Sequence, residues 1–131
     1  MPGIFSKIVS GEIPSYKIAE DKDHLAFLDA FPLKKGHTLV IPKLETDYLF
    51  DIRSEEYLQL MSFTHRVAIA VKAAIPCKRL SMQVIGLEVP HAHIHLIPIN
   101  TMSDCDFKNE KLKLSKEEFE RTAMEIAAQF K

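Results

Sequence analysis

Three histidines fall on alternate residues, His91-Ala92-His93-Ile94-His95, and the run continues into Leu96-Ile97-Pro98. A strand sends successive side chains to opposite faces, so this spacing puts all three imidazoles on one face. Ala92, Ile94 and Leu96 then line the other face, where they can enter a core. The chain holds six histidines in 131 residues. At that density, three at this spacing arise by chance in about one chain in a hundred.

Two chemistries suit such a face. Adjacent histidines on a flat strand lie about 6.6–6.8 Å apart at the backbone and the outer pair roughly 13 Å. Two can share a metal ion at about 2.0–2.1 Å, but the set then needs ligands from elsewhere, such as His37, Glu88 or Asp29. No HExxH and no cysteine pair supplies them. Alternatively, a neutral imidazole nitrogen attacks phosphorus and forms a covalent intermediate. Its neighbours fix its tautomer and donate to phosphoryl oxygens or the leaving group. With a pKa near about 6.5, imidazole suits each role around neutrality. The spacing favours a middle nucleophile, His93, with two helpers. A set of purely structural histidines is the plain alternative.

The elements that position these residues are legible in outline. Apolar residues at 4, 5, 8 and 9 suit a short helix from Ile4 to Ser10, ended by Gly11 and Pro14. Tyr16 to Glu20 and His24 to Asp29 read as a hairpin around Asp21-Lys22-Asp23. Pro32 to Gly36 is a loop, and His37 to Pro42 is a buried strand. A long helix starts near Ser54, taken as its N-cap, with Glu55 and Glu56 in the first turn. Its stripe is Tyr57, Leu60, Met61, Thr64, Val67, Ala68, Val71 and Ala74, and Pro76 stops it. Arg79 to Ile85 is a strand, and the histidine strand follows. Ser115 and Glu118 have capping-box spacing, and Leu114 with Phe119 fits a hydrophobic staple. The helix they open has an apolar face of Phe119, Ala123, Ile126, Ala127 and Phe130. The order points to an α+β domain with a mostly antiparallel sheet of about five strands.

Composition bounds the rest. The chain suits a single domain, 1–131, able to bury a core. A net charge of −1 offers nothing to a nucleic-acid backbone or an anionic membrane. The opening Met1-Pro2-Gly3-Ile4-Phe5-Ser6-Lys7 lacks the h-region of a signal peptide. Val67 to Ile75 is interrupted by Lys72 and too short to span a membrane. Cys77 and Cys105 are far apart and read as reduced thiols of a cytoplasmic protein.

His91 to Pro98 resembles the His-x-His-x-His signature of the histidine triad superfamily, HIT. Ile4-Phe5-Ser6-Lys7-Ile8 with Gly11-Glu12-Ile13-Pro14 is similar to the family's opening. Leu25 to Asp29 and Gly36 to Lys43 are similar to its next two strands. The likeness runs from about Ile4 to Ile99, with 1–100 as family core and 101–131 as a C-terminal extension. The resemblance implies a HIT-like fold and a hydrolase that takes a purine nucleotide or nucleotide conjugate, with no cofactor. It implies that His93 attacks the α-phosphorus, that His95 contacts phosphate oxygen and helps the leaving group, and that His91 orients His93. His37 completes the site from the neighbouring strand. Phe5, Ile8, Phe27, Ala30 and Leu39 match positions that line the base pocket, though all but Ala30 read equally well as core. Asp29 matches the acidic residue that bonds the ribose hydroxyls. Hint-like relatives pair as homodimers through their long helix and a sheet edge.

Three departures follow. Leu87 and Glu88 stand where relatives carry a glutamine and a hydroxyl residue, in a shorter loop; Gln83 offers an amide from another place. The resemblance puts Glu88 near the leaving group, where a carboxylate that points inward favours an amine over a polyphosphate; a Glu88 turned to solvent is the equal alternative. Relatives that bind zinc use cysteines near the start, where this chain has Gly3 and Ser6, so no metal is expected there. The tail after Asn100 differs from the short Hint C-terminus. The alternatives are a dinucleoside polyphosphate hydrolase of the Fhit type, a nucleotide binder with little turnover, and a metal-dependent enzyme.

Overall fold

The computed structural model describes residues 3–131; Met1 and Pro2, at the start of the segment read for a leader, lie outside the described residues. Five strands form one antiparallel sheet: β1 (Lys17–Glu20), β2 (His24–Leu28), β3 (Thr38–Pro42), β4 (Arg79–Gln83) and β5 (Ile94–Ile99). Their spatial order is β1-β2-β3-β5-β4. The helices are α1 (Ile4–Ser10), α2 (Ser54–Ala74) and α3 (Lys116–Gln129). The fold is α+β, as the order of elements implies.

The sheet separates two cores. On one face α2 and α3 cover Ala26, Leu28, Val40, Ile94 and Leu96 with Leu60, Phe63, Val67, Val71, Phe119 and Ile126. On the other, Phe5 of α1 packs on Leu25, Phe27, Leu39 and Ile41. The register explains the sorting. Phe27 lies opposite Leu39, Leu39 opposite His95, and His95 opposite Gln83. One row of side chains therefore crosses four strands on the α1 face. The next residues along, Ala26, Val40 and Ile94, form the matching row on the helical face.

Several boundaries differ from the sequence reading. Ser54 is the first helical residue of α2, and the cap is Arg53, whose side chain makes no capping bond. Phe63 and Ala70 are buried on α2, while Tyr57, Met61, Ala68 and Ala74 only flank the core. The buried stripe is thus rotated toward the sheet. On α3 the capping box of Ser115 and Glu118 forms, and Thr122 is buried where Ala127 is exposed. The strand expected to reach Ile85 stops at Gln83, because its partner strand begins only at Ile94. His91, Ala92 and His93 therefore precede the ladder. Ala92 N–H instead donates to Thr46 O at 2.7 Å. The alternation of faces survives: Ala92, Ile94 and Leu96 are all in the helical-side core.

Gly36 closes the turn into β3. Its φ is +90°, and a Cβ there would lie 2.8 Å from Ile75 Cγ1 at the end of α2. The turn it permits delivers His37 to the site face. Asp29 N–H donates to His37 O at 3.0 Å and ties the loop's two ends. Cys77 and Cys105 are both free. Among the described residues, no helix is long and apolar enough to cross a membrane.

Candidate active site

The three histidines and His37 gather beside Phe5. The Phe5 ring meets His91 at 5.7 Å and His93 at 5.1 Å between centroids, edge-on in both cases. His93 and His95 are 5.1 Å apart, and His95 and His37 5.3 Å. All four are buried.

Hydrogen bonds fix each tautomer, since a main-chain carbonyl can only accept and an N–H only donate. His93 Nδ1 lies 2.7 Å from His91 O, so Nδ1 carries the proton and Nε2 keeps its lone pair. Leu33 N–H donates to His37 Nδ1 at 3.0 Å. A neutral His37 then carries its proton on Nε2, which donates to His95 Nδ1 at 3.0 Å. His95 in turn holds its proton on Nε2. His91 Nε2 donates to Pro42 O at 2.7 Å, and its Nδ1 is buried without a partner. His91 thus orients His93 through its carbonyl, while its own ring is anchored to the end of β3.

Burial disfavours the charged form of His37, His91 and His95. His37 is pushed down to about 3, by desolvation first and by His95 and Lys111 after it. His95 falls to about 4, by desolvation and then by His93. His91 is also lowered, chiefly by burial. The Asp29 carboxyl is raised by burial, against the Phe31 N–H, His93 and Lys111. Its Oδ1 accepts from Phe31 N–H at 2.9 Å.

The structure brings His37, His91, His93, His95, Asp29, Phe5, Phe27 and Leu39 together. Phe5, Phe27 and Leu39 are buried and form the floor. Ile8 is half-buried against that floor, and Ala30 is exposed at the rim. Gln83 faces the site in register with His95 but donates to Ser81 Oγ at 3.2 Å and Cys105 O at 3.3 Å. Glu88 is exposed, beside an exposed Leu87. A depression of about 410 Å³ elsewhere, between Asp23, His24, Leu44 and the start of α2, includes none of the three histidines.

Two arrangements bear on metals. Asp29, His37 and His95 offer ligand atoms within 4.8 Å of one another. A cation would need the His37 Nε2 lone pair, but the Leu33 N–H holds that lone pair on Nδ1. These residues do not fit a resident ion without breaking that bond. At the start of α1, Glu45 Oε1 accepts from Gly3 N–H at 2.9 Å and from Ser6 Oγ at 2.8 Å. Donors converge there where a cation needs acceptors, so this corner does not fit zinc either. The two contacts draw the Glu45 carboxyl below its ordinary range.

Sequence reasoning missed Leu33, which acts through its main chain and so leaves no mark in residue type. It also missed Glu45 and Phe107. Phe107 stands among mainly polar residues after β5, and its ring lies 4.8 Å from His95. An isolated aromatic in a polar stretch was the available signal.

The HIT domain family matches residues 10–102. An uncharacterized HIT-like protein of Borreliella burgdorferi is 36% identical over 95% of this chain and 95% of its own length. An adenosine 5'-monophosphoramidase of Saccharomyces cerevisiae is 41% identical over 72% of this chain and 61% of its own length. Among solved structures, a zinc-bound histidine triad family protein from Mycobacterium smegmatis superposes with a TM-score of 0.82. It is 30% identical, covering 98% of this chain and 95% of that one.

Proposed function

The chain belongs to the HIT family, and from that premise we propose that it hydrolyses purine nucleoside phosphoramidates or related nucleotide conjugates through a nucleotidyl-histidine. The observation that carries this reading is the His93 tautomer: Nδ1–H is committed to His91 O, so Nε2 is a free nucleophile. Attack by Nε2 on the α-phosphorus forms the N–P bond as the bond to the leaving group breaks. Water then attacks the same phosphorus and releases the mononucleotide. His95 Nε2–H is the hydrogen-bond donor to phosphoryl oxygen or the leaving group. Asp29 Oδ2 accepts from the ribose hydroxyls, and Phe5, Ile8, Phe27, Ala30 and Leu39 shape the base pocket. The similarity to a monophosphoramidase favours an amine leaving group over a Fhit-type polyphosphate.

The experiment is rapid quench into alkali, where a phosphorus–nitrogen bond survives, with adenosine phosphoramidate labelled in the adenylyl group. Label on His93, absent in His93→Ala together with turnover, is the expected result. Turnover by His93→Ala within a few-fold of wild type overturns the reading.

The protein is read as cytoplasmic and as a homodimer. Support for pairing comes from exposed apolar residues, Ile69 of α2, Met82 of β4 and Val84 and Ile85 just past its end, beside an edge strand with one free side. Light scattering tests this: a 14.9 kDa particle at micromolar concentration refutes it.

A further inference from the structure

We propose that Phe107 is a positioning residue for His95, and that the strap from Thr101 to Leu112 is a fixed wall of the nucleotide site. The inference rests on the reading of His95 as the residue that meets the phosphate and leaving group. Almost all of this strap lies beyond the family match, which ends at residue 102. Nothing in the family's signature assigns it a part in the site.

The strap is tied down along its length. Asp104 Oδ2 accepts from Asn100 N–H at 2.8 Å and Thr101 N–H at 3.0 Å. Asp104 Oδ1 meets Lys34 Nζ at 3.2 Å. Gln83 Nε2 donates to Cys105 O. Leu112 N–H donates to Pro32 O at 2.8 Å. Lys34 and Pro32 belong to the loop that carries Asp29 and His37, and Gln83 sits opposite His95 on β4. The ties therefore run to the elements that hold the site.

Between these ties Phe107 reaches inward. Its ring meets His95 edge-on at 4.8 Å and 76°, and His37 at 6.1 Å and 80°. His95 also meets His93 edge-on at 5.1 Å. It thus contacts both the nucleophile and the strap. Other groups with charge or titrating capacity near the pair are Asp29 and Lys111. Lys111 Nζ is held by Phe107 O at 2.6 Å and Asn109 O at 3.0 Å. That bond closes the turn that presents the ring.

Removing the ring does two things to His95. It opens one side of the imidazole, so its plane can rotate away from the substrate. It also admits water to compete for Nδ1, which weakens the bond from His37 that keeps the proton on Nε2. Either change blurs the donor that the phosphoryl group needs, and small misplacements of reacting groups are costly in rate.

The test compares wild type, Phe107→Ala and Phe107→Leu in two ways. Steady-state kinetics on adenosine phosphoramidate should show kcat falling about ten- to a hundred-fold in Phe107→Ala. KM should move little, and Leu should recover most of the loss by restoring bulk. Nitrogen-15 NMR of the histidines should show one Nε2–H tautomer for His95 in wild type and a mixture in Phe107→Ala. Unchanged kcat with an unchanged His95 tautomer in a folded Phe107→Ala overturns the proposal. So does a loss that falls on KM alone. If wild type turns over no phosphoramidate, the functional reading fails, and the His95 spectrum still decides the part played by Phe107. If the alanine variant does not fold, the less drastic Phe107→Val decides: a mixed His95 tautomer with lowered kcat supports the proposal, and a wild-type His95 spectrum with wild-type kcat overturns it.

Discussion

The two faces of the sheet are held by different physics. Among the described residues, the cluster on the helical side holds eighteen buried apolar residues, most of them from strands, α2 and α3. The cluster around Phe5 holds five. The larger core is cohesive through area and close packing, which are non-directional. The smaller face adds four imidazoles whose positions depend on directional bonds to Leu33, Pro42 and His91 main-chain groups. Stability is concentrated behind the sheet, while the chemistry sits in front of it on a thin apolar floor. A front face built this way can be altered without unfolding the domain, but it tolerates little misalignment.

The sharpest way to break this division is to trim one aromatic from each side. Phe63→Ala should cost about 3–5 kcal/mol of unfolding free energy and leave nucleotide affinity of the folded fraction near wild type. Phe5→Ala should cost less in urea unfolding and weaken nucleotide binding more. The reverse ranking would show that the faces are not divided in this way.

Next in size is His37→Ala, which removes the donor to His95 Nδ1. It should lower kcat about a hundred-fold with the main unfolding transition retained. Full activity would mean that the Leu33–His37–His95 chain is only packing.

A smaller effect comes from pH. His95 titrates at about 4 in the fold against 6.5 ordinarily, so the unfolded chain takes the proton first. Stability from this group is complete above about 6.5 and is lost as pH falls toward about 4. His37 extends the loss toward about 3. Asp29, raised by burial, acts with the opposite sign, because there the native state takes the proton first. Thermal melts across this range should therefore fall less steeply for His95→Asn than for wild type. Parallel curves would refute the linkage.

The smallest change expected is in Glu45→Ala, which frees Gly3 and Ser6 at the start of α1. Its melting temperature should barely move. Its nucleotide affinity should drop a few-fold, because Phe5 loses its tether, and Phe5→Ala should abolish that drop. An effect that persists without Phe5 would place Glu45 in some other role.

Much of this division was legible in the chain. The alternation through Ala92, Ile94 and Leu96 assigned faces correctly even though the ladder starts only at Ile94, because extended backbone alternates with or without a partner strand. The capping box at Ser115 was readable because it is local. Phe63 and Ala70 were missed because the rotation of α2 is set by its contact with the sheet. The site's polar logic was hidden for a different reason. Residue types announce imidazoles, but tautomers follow from which carbonyl or amide lies nearby, and that is a product of the fold. Phe107 lies past the family's matched region, where no motif points to it.

The anchors of the histidine network have a genetic consequence. Leu33 contributes an amide, His91 a carbonyl to its neighbour, and Pro42 a carbonyl. Each residue carries such groups on its main chain whatever its side chain, apart from proline's missing N–H. At position 33, only proline among the standard replacements deletes the amide. At position 42 every replacement keeps the carbonyl. The proton arrangement of the site is therefore shielded from most point mutations at the residues that impose it. Drift at 33 and 42 is limited by packing, while the histidines themselves carry the chemical constraint.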